Sequence, residues 1–146
     1  MSDDVSPKTS KELARRFLEG LWSTGDDALI DEIVAPDLVF TLAAKPFRVD
    51  GRESFRELVH RMRVAFPDLT YRVVDLIAES DRAACRWLMY ATHRATWLGF
   101  PARGRHVAIK GMTFFRIADG QIAECEVQNE VLSLLVQLGV VPDPWA

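Results

Sequence analysis

Two cysteines in 146 residues are too few for a disulfide framework. Cys85 and Cys125 stand singly, without Cys-x-x-Cys spacing, and are expected as reduced thiols in the core of a cytoplasmic protein. Three histidines, His60, His93 and His106, have no acid at metal-ligand spacing, so no metal is expected. Charge of one sign is also scarce. Eighteen Lys and Arg stand against twenty-one Asp and Glu, a net charge of −3 without a basic cluster, which argues against nucleic acid as a partner. Arg52, Arg56, Arg61 and Arg63 are interrupted by Glu53 and Glu57 and read as a solvated helix face. No apolar run is long enough to span a bilayer, and the first residues are polar and acidic, unlike a signal peptide. Gly20, Gly99 and Gly104 do not form a phosphate-binding loop, and no Ser or Cys nucleophile sits on an elbow.

What is present is a change of period along one domain, residues 1–146, with 1–8 expected as a flexible lead-in and 140–146 as a tail. Thr9-Ser10-Lys11-Glu12 has the form of a capping box, opening a helix with Leu13, Phe17, Leu18 and Leu21 on one stripe and Gly25 at its end. A second short helix carries Leu29, Ile30, Ile33 and Val34 and should stop at Pro36. Asp37 to Leu42 reads as a strand. Asp50-Gly51-Arg52-Glu53 should cap a third helix carrying Phe55, Leu58, Val59 and Met62, ending before Pro67. From there the period is two. Leu69 to Glu79, Arg82 to Thr96, His106 to Ile117 and Gln121 to Asn129 read as four strands, the last pair joined by Asp119-Gly120, whose two positions need positive φ. Helices followed by long antiparallel strands define an α+β domain: a cone-shaped, curled antiparallel sheet with the N-terminal helices packed over its open side. The inside of such a cone is where a small-molecule pocket is expected.

The last strand sorts its residues cleanly. Ala123, Cys125, Val127 and Asn129 share one face; Glu124, Glu126, Gln128 and Glu130 share the other. The carboxylates form either a solvated sheet face or the wall of a polar pocket. In the pocket, Glu126 and Glu130 would repel and leave an acid beside a base. Cys85, Trp87, Met89, Ala91 and His93 share an otherwise apolar strand face, which places His93 in core or pocket. Phe115 alternates with Val107, Ile109, Gly111 and Thr113, while Phe114 joins Met112 and Lys110; only one set can line the cone. Trp97 and Phe100 fall in a Gly/Pro-rich loop, as a lid or a subunit contact.

Phe66-Pro67-Asp68-Leu69, Asp75 to Arg82, Arg86-Trp87, Thr92-His93, Gly99-x-Pro101-x-x-Gly104-Arg105, Asp119-Gly120-x-Ile122 and Gln137-Leu138-Gly139, in that order and spacing, resemble the SnoaL-like polyketide cyclase family of the nuclear transport factor 2-like fold. The resemblance implies ring closure by an intramolecular aldol reaction without metal or organic cofactor. It also implies a carboxylate base seven residues before the Gln of Gln-Leu-Gly, here Glu130 where the family has Asp. The chain departs from the family at Glu126, commonly Trp, at Cys125, often His, and at Thr41 in the first strand, commonly His. The expected site therefore has Glu130, His93 and Glu126 as catalytic residues and Trp87, Phe115, Trp97, Met89 and Thr41 against a hydrophobic, polyketide-like substrate. Water addition, as in epoxide hydrolases and dehydratases of this fold, a cofactor-independent hydroxylase and a non-catalytic ligand-binding or dimerisation module are the alternatives. The apolar circumference of the segment Val131 to Leu138 and an exposed convex face also lead us to expect a homodimer or higher homo-oligomer.

Overall fold

The computed structural model describes residues 6–43 and 47–145. Helix α1 (Pro7–Arg15) continues as a π-helix (Arg16–Trp22), and α2 (Asp27–Ile33) leads into strand β1 (Val34–Leu42). A short strand β2 (Phe47–Asp50), which the sequence pattern does not announce, precedes α3 (Arg52–Ala65). Strands β3 (Thr70–Glu79), β4 (Arg82–Thr92), β5 (His106–Ala118) and β6 (Gln121–Asn129) then follow, and α4 (Val131–Gln137) closes the chain. They form one six-stranded sheet in the order β2-β1-β6-β5-β4-β3. The expected α+β architecture is present, with one refinement: β1 and β6 run parallel, and the other neighbours antiparallel.

Local chemistry moves several boundaries. The first helix starts at Pro7 rather than after Thr9, because Ser6 is its N-cap and accepts from the Thr9 amide at 3.1 Å. Proline favours the first helical turn, where its missing N–H costs nothing. Of the expected lead-in, residues 1–5 lie outside the described residues, and Ser6 to Lys8 already belong to this helix and its cap. Pro36 does not end α2; it lies inside β1, where the ladder to β6 skips between Val34 and Val39 and no amide is missed. Gly51, not Asp50, caps α3, and Asp50 is bonded to Arg48 within β2. β4 ends at Thr92 because the chain turns away, the Arg94 amide donating to the Ala65 carbonyl at the end of α3. The β5–β6 turn is as expected, with φ of 52° at Asp119 and 74° at Gly120.

The arginines of α3 are not a solvated face. Arg52 gives two bonds to the Val34 carbonyl. Arg56, whose side chain is only 17% exposed, binds Asp27, Asp31 and Glu53. Arg63 donates to the carbonyls of Trp22 (3.0 Å), Leu69 (2.9 Å) and Pro67 (2.7 Å), fastening the π-helix and the start of β3 to α3. Each of these carbonyls lies where regular backbone pairing stops, and a guanidinium has enough fixed donors to serve several at once. Arg61 alone of the four is exposed.

The inner face of the sheet carries the core. Phe17 stacks on Phe55 at 5.4 Å and meets Phe115 edge-on at 5.5 Å, so the helices are seated on the sheet through aromatic rings. Phe115, Val107, Ile109 and Thr113 are buried on this side, while Met112 and Phe114 lie on the outside. No helix among the described residues is long and apolar enough to cross a membrane.

Candidate functional site

Strand alternation and the helices together line up a row of aromatic side chains between the helices and the inner face of the sheet. Phe40 of β1 packs on Phe55 of α3 (5.5 Å), Phe55 on Trp22 of the π-helix (5.6 Å), Trp22 on Tyr71 of β3 (6.1 Å), and Tyr71 edge-on against Trp87 of β4 (4.8 Å). The sheet register carries the row across the sheet: Trp87 pairs with Gly111 of β5, and Gly111 with Asn129 of β6. Gly111 is required by close approach. A Cβ there would stand 2.2 Å from the Trp87 ring, which lies flat across the strand.

Polar atoms are few on this aromatic wall, and their state is readable. The Trp87 indole N–H donates to the Thr113 hydroxyl at 2.9 Å, both buried. The Asn129 Oδ1 is buried without a hydrogen-bond partner. Tyr71 is half-buried, and its hydroxyl makes no hydrogen bond with the described residues. Burial, with Cys125 nearby, pushes its phenol well above the ordinary range, so the hydroxyl stays protonated and is a donor. Burial likewise pushes the Cys85 thiol up to about 12 and Cys125 well above its ordinary value; neither is a thiolate nucleophile. An unpartnered acceptor and a neutral donor on an apolar, aromatic surface suit a flat ligand bearing carbonyl and hydroxyl oxygens.

The residues expected from the sequence divide between this site and other places. Trp87 and Met89 are buried on the inner face, and Phe115 is part of the core beneath it. Thr41 faces outward, paired with Arg48 and Glu126. His93 and Trp97 meet at the rim, where Phe66 stacks on His93 (5.2 Å) and meets Trp97 edge-on (5.6 Å). His93 is 2% exposed, with its Nε2 buried and unpartnered. Six residues separate it from Trp87, about 20 Å of strand, so the two do not share one site. The Asp68 carboxylate fixes the neighbouring turn by accepting from the Thr92 amide and hydroxyl, each at 2.6 Å. Phe66-Pro67-Asp68 and Thr92-His93, two separate stretches of sequence, are thus one structural unit.

Glu126 and Glu130 are exposed on the outer face, not in the cone. The reason is alternation: the inward positions of β6 are Cys125, Val127 and Asn129. Glu130 also has a structural occupation. Its Oε1 accepts from the Lys110 amide at 2.6 Å, and its own amide donates to the Lys110 carbonyl. Gln137 does the same two residues along β5, its side-chain amide accepting from Ala108 N (2.7 Å) and donating to Ala108 O (2.8 Å). β6 ends opposite Gly111, and these two side chains take over the β5 edge it no longer covers.

Sequence reasoning did not single out Tyr71, Gly111 or Asn129. Asn129 did leave a signal, as the one amide on the strand face of Ala123, Cys125 and Val127. The closeness of Gly111 to Trp87 depends on register between strands, which no local pattern carries.

A six-stranded curled sheet with helices packed across its inner face is the architecture of the nuclear transport factor 2-like fold. Comparison makes the assignment narrower. The SnoaL-like polyketide cyclase family matches residues 12–138. TsrD from Streptomyces laurentii has 27% identity and a TM-score of 0.81 over 92% of this chain and 97% of its own. AclR, a candidate hydroxylase from Streptomyces galilaeus, has 29% identity and a TM-score of 0.81 over 94% and 89%. IdmH, a candidate polyketide cyclase from Streptomyces antibioticus, has 28% identity and a TM-score of 0.75 over 91% and 99%. A comparison with curated proteins returned no match. The chain belongs to the SnoaL-like polyketide cyclase family.

Proposed function

We propose that this chain closes a ring in a flat, polyoxygenated small molecule by a cofactor-free intramolecular aldol reaction inside the cone. Two observations support the reading: the Asn129 Oδ1 is buried without a partner, and the Tyr71 hydroxyl, held protonated, belongs to the ring that packs on Trp22 and Trp87. A 1,3-dicarbonyl substrate supplies its own enol. Asn129 Oδ1 accepts the enol O–H, raising the nucleophilicity of the enol carbon, and Tyr71 donates to the carbonyl under attack. As the carbon–carbon bond forms, the proton lost by the enol is the one the new alkoxide gains. The protein's protonation is unchanged and no redox step is involved. The aromatic wall holds the two reacting arms together, which is where most of the acceleration arises. Water addition between two acids fits less well, because the buried polar side chains among the described residues are Ser10, Thr92, His93 and Thr113, none of them a carboxylate.

On this reading Glu130 supports the β5 edge rather than acting as the base. Glu130→Gln keeps an acceptor for the Lys110 amide and exchanges a charged for a neutral hydrogen bond. We expect a stability loss of about 1 kcal/mol and turnover within threefold of the parent. A hundredfold fall in kcat with an unchanged melting temperature would return the base to Glu130 and overturn the assignment.

The same proposal takes the chain as a homodimer through the outer sheet face. Met112 (59% exposed), Phe114 (47%) and Leu132 of α4 (49%) lie on that side or beside it, and most of α4 is only half-buried, although its sequence is apolar nearly all round. A two-fold contact there would bury roughly 1,200–2,000 Å². Sedimentation at micromolar concentration should report a two-chain particle, and Phe114→Lys should halve its mass.

A further inference from the structure

Strand β3 is an edge of the sheet, so one row of its amides has no strand to bond. Two of those amides are taken by side chains of the π-helix and its C-cap. The Tyr71 amide donates to the Ser23 hydroxyl oxygen at 2.9 Å, and the Val73 amide to Glu19 Oε2 at 3.0 Å. Each acceptor is itself held. The Ser23 hydroxyl gives its proton to the Leu18 carbonyl at 3.1 Å, which leaves the oxygen's lone pairs for the strand. Glu19 Oε1 accepts from Arg15 at 2.9 Å, so the carboxylate is fixed at both oxygens. Arg63 Nη1 joins the same two elements, donating to the carbonyls of both Trp22 and Leu69. The clamp covers one stretch only. Past Val73 the ladder to β4 shifts, and among the described residues the one further β3 amide bonded to a side chain, that of Leu76, donates to Asp75 of the strand itself.

We propose that Ser23 and Glu19 are positioning residues, which set the place of the Tyr71 hydroxyl by holding the β3 backbone at Tyr71 and two residues beyond it. The role rests on Tyr71 being the donor to the carbonyl under attack. The ring's own contacts do not fix it fully. Trp22 at 6.1 Å and Trp87 at 4.8 Å limit its tilt, but apolar contacts have little direction and let a ring slide along the strand. Hydrogen bonds to the amides do have direction, and they oppose that slide. Trp22 directly precedes Ser23, so the ring's neighbour and the backbone clamp come from one element and move together. Protection of a bare edge does not account for the pattern, because water satisfies exposed amides and a cover would serve anywhere along β3. Here it is confined to the stretch that carries Tyr71. A donor displaced by about 1 Å can lose a large part of its effect on rate, which gives these two side chains their leverage.

The test uses the full chain with nonane-2,4,8-trione, a 1,3-diketone whose remote ketone lies within reach of its enol carbon for six-ring closure. Ser23→Ala and Glu19→Ala should each lower kcat about tenfold, with KM within about threefold. Glu19→Gln keeps an acceptor for the Val73 amide and should restore most of the rate. In the Tyr71→Phe background Ser23→Ala should cost nothing further, because no hydroxyl is left to misplace. A merely structural role would lower turnover by the same factor in both backgrounds. Hydrogen exchange should show the Tyr71 and Val73 amides protected in the parent, and the Tyr71 amide released in Ser23→Ala. Should Ser23→Ala not fold, Glu19→Ala serves for the same comparison. Fast exchange of both amides in the parent, equal losses with and without the Tyr71 hydroxyl, or parental turnover in both alanine variants would each overturn the proposal. Parental turnover by Tyr71→Phe, or no cyclisation of the trione by the parent, is a different result: it overturns the reading of the cone, and the positioning role falls with it.

Discussion

Gly111→Val should be among the most damaging single substitutions in this chain. The added Cβ would lie 2.2 Å from the Trp87 ring, far inside contact distance, and the ring is 2% exposed with no free space to enter. Either β5 moves away from the ring or the indole leaves its place. In the second case the bond from Trp87 Nε1 to Thr113 is lost and the edge contact with Tyr71 breaks. Overpacking of this kind costs about 3 kcal/mol or more, and a buried unsatisfied hydroxyl adds to it. For a domain of this size that lowers the melting temperature by roughly 6–12 °C. Near-ultraviolet circular dichroism should lose the signature of a rigid indole as well. Gly111→Ala brings the same Cβ with less bulk beyond it and should show a smaller shift in the same direction. A Gly111→Val protein with the parental melting temperature and spectrum would show that β5 and the ring are less closely packed than described, and would remove the site's most constrained wall.

The other large effect is chemical. Tyr71→Phe deletes one oxygen from a ring held between Trp22 and Trp87, so the packing survives. The variant should fold with the parent's stability, because the hydroxyl makes no hydrogen bond with the described residues that its removal would break. Turnover of a polyketide-like 1,3-dicarbonyl substrate should nevertheless fall about 10²–10³-fold, the usual cost of removing one donor aimed at a developing oxyanion. The fall should appear in kcat, with KM within a few-fold, since the donor's bond strengthens as charge develops on the oxygen. Asn129→Leu should behave alike, and the two changes together should cost less than the product of the single effects, because they act on one reacting unit. If Tyr71→Phe turns over at the parental rate while Glu130→Gln does not, the reaction does not use the concave pair.

Much of this protein was determined by sequence alone, because much of it is local. The switch from helical period to period two places the strands to within a few residues, and Asp119-Gly120 could form only a tight turn with positive φ. Alternation also placed Phe115 apart from Phe114, and Glu124, Glu126, Gln128 and Glu130 together on one side of β6. Which side that was, pocket or solvent, only the tertiary structure decided. A strand with apolar and charged faces states its alternation but not the shape of the sheet around it; here the curl encloses Cys125, Val127 and Asn129 and leaves the carboxylates outside. The seven-residue spacing from Glu130 to Gln137, legible as a family signature, acquired its physical meaning from the β5 edge, where both side chains replace the departed β6. Long-range register did the rest. Trp87 against Gly111, Gly111 beside Asn129, and Asp68 bound to Thr92 join residues 18–24 positions apart, and nothing in a local pattern encodes the pairing that brings them together.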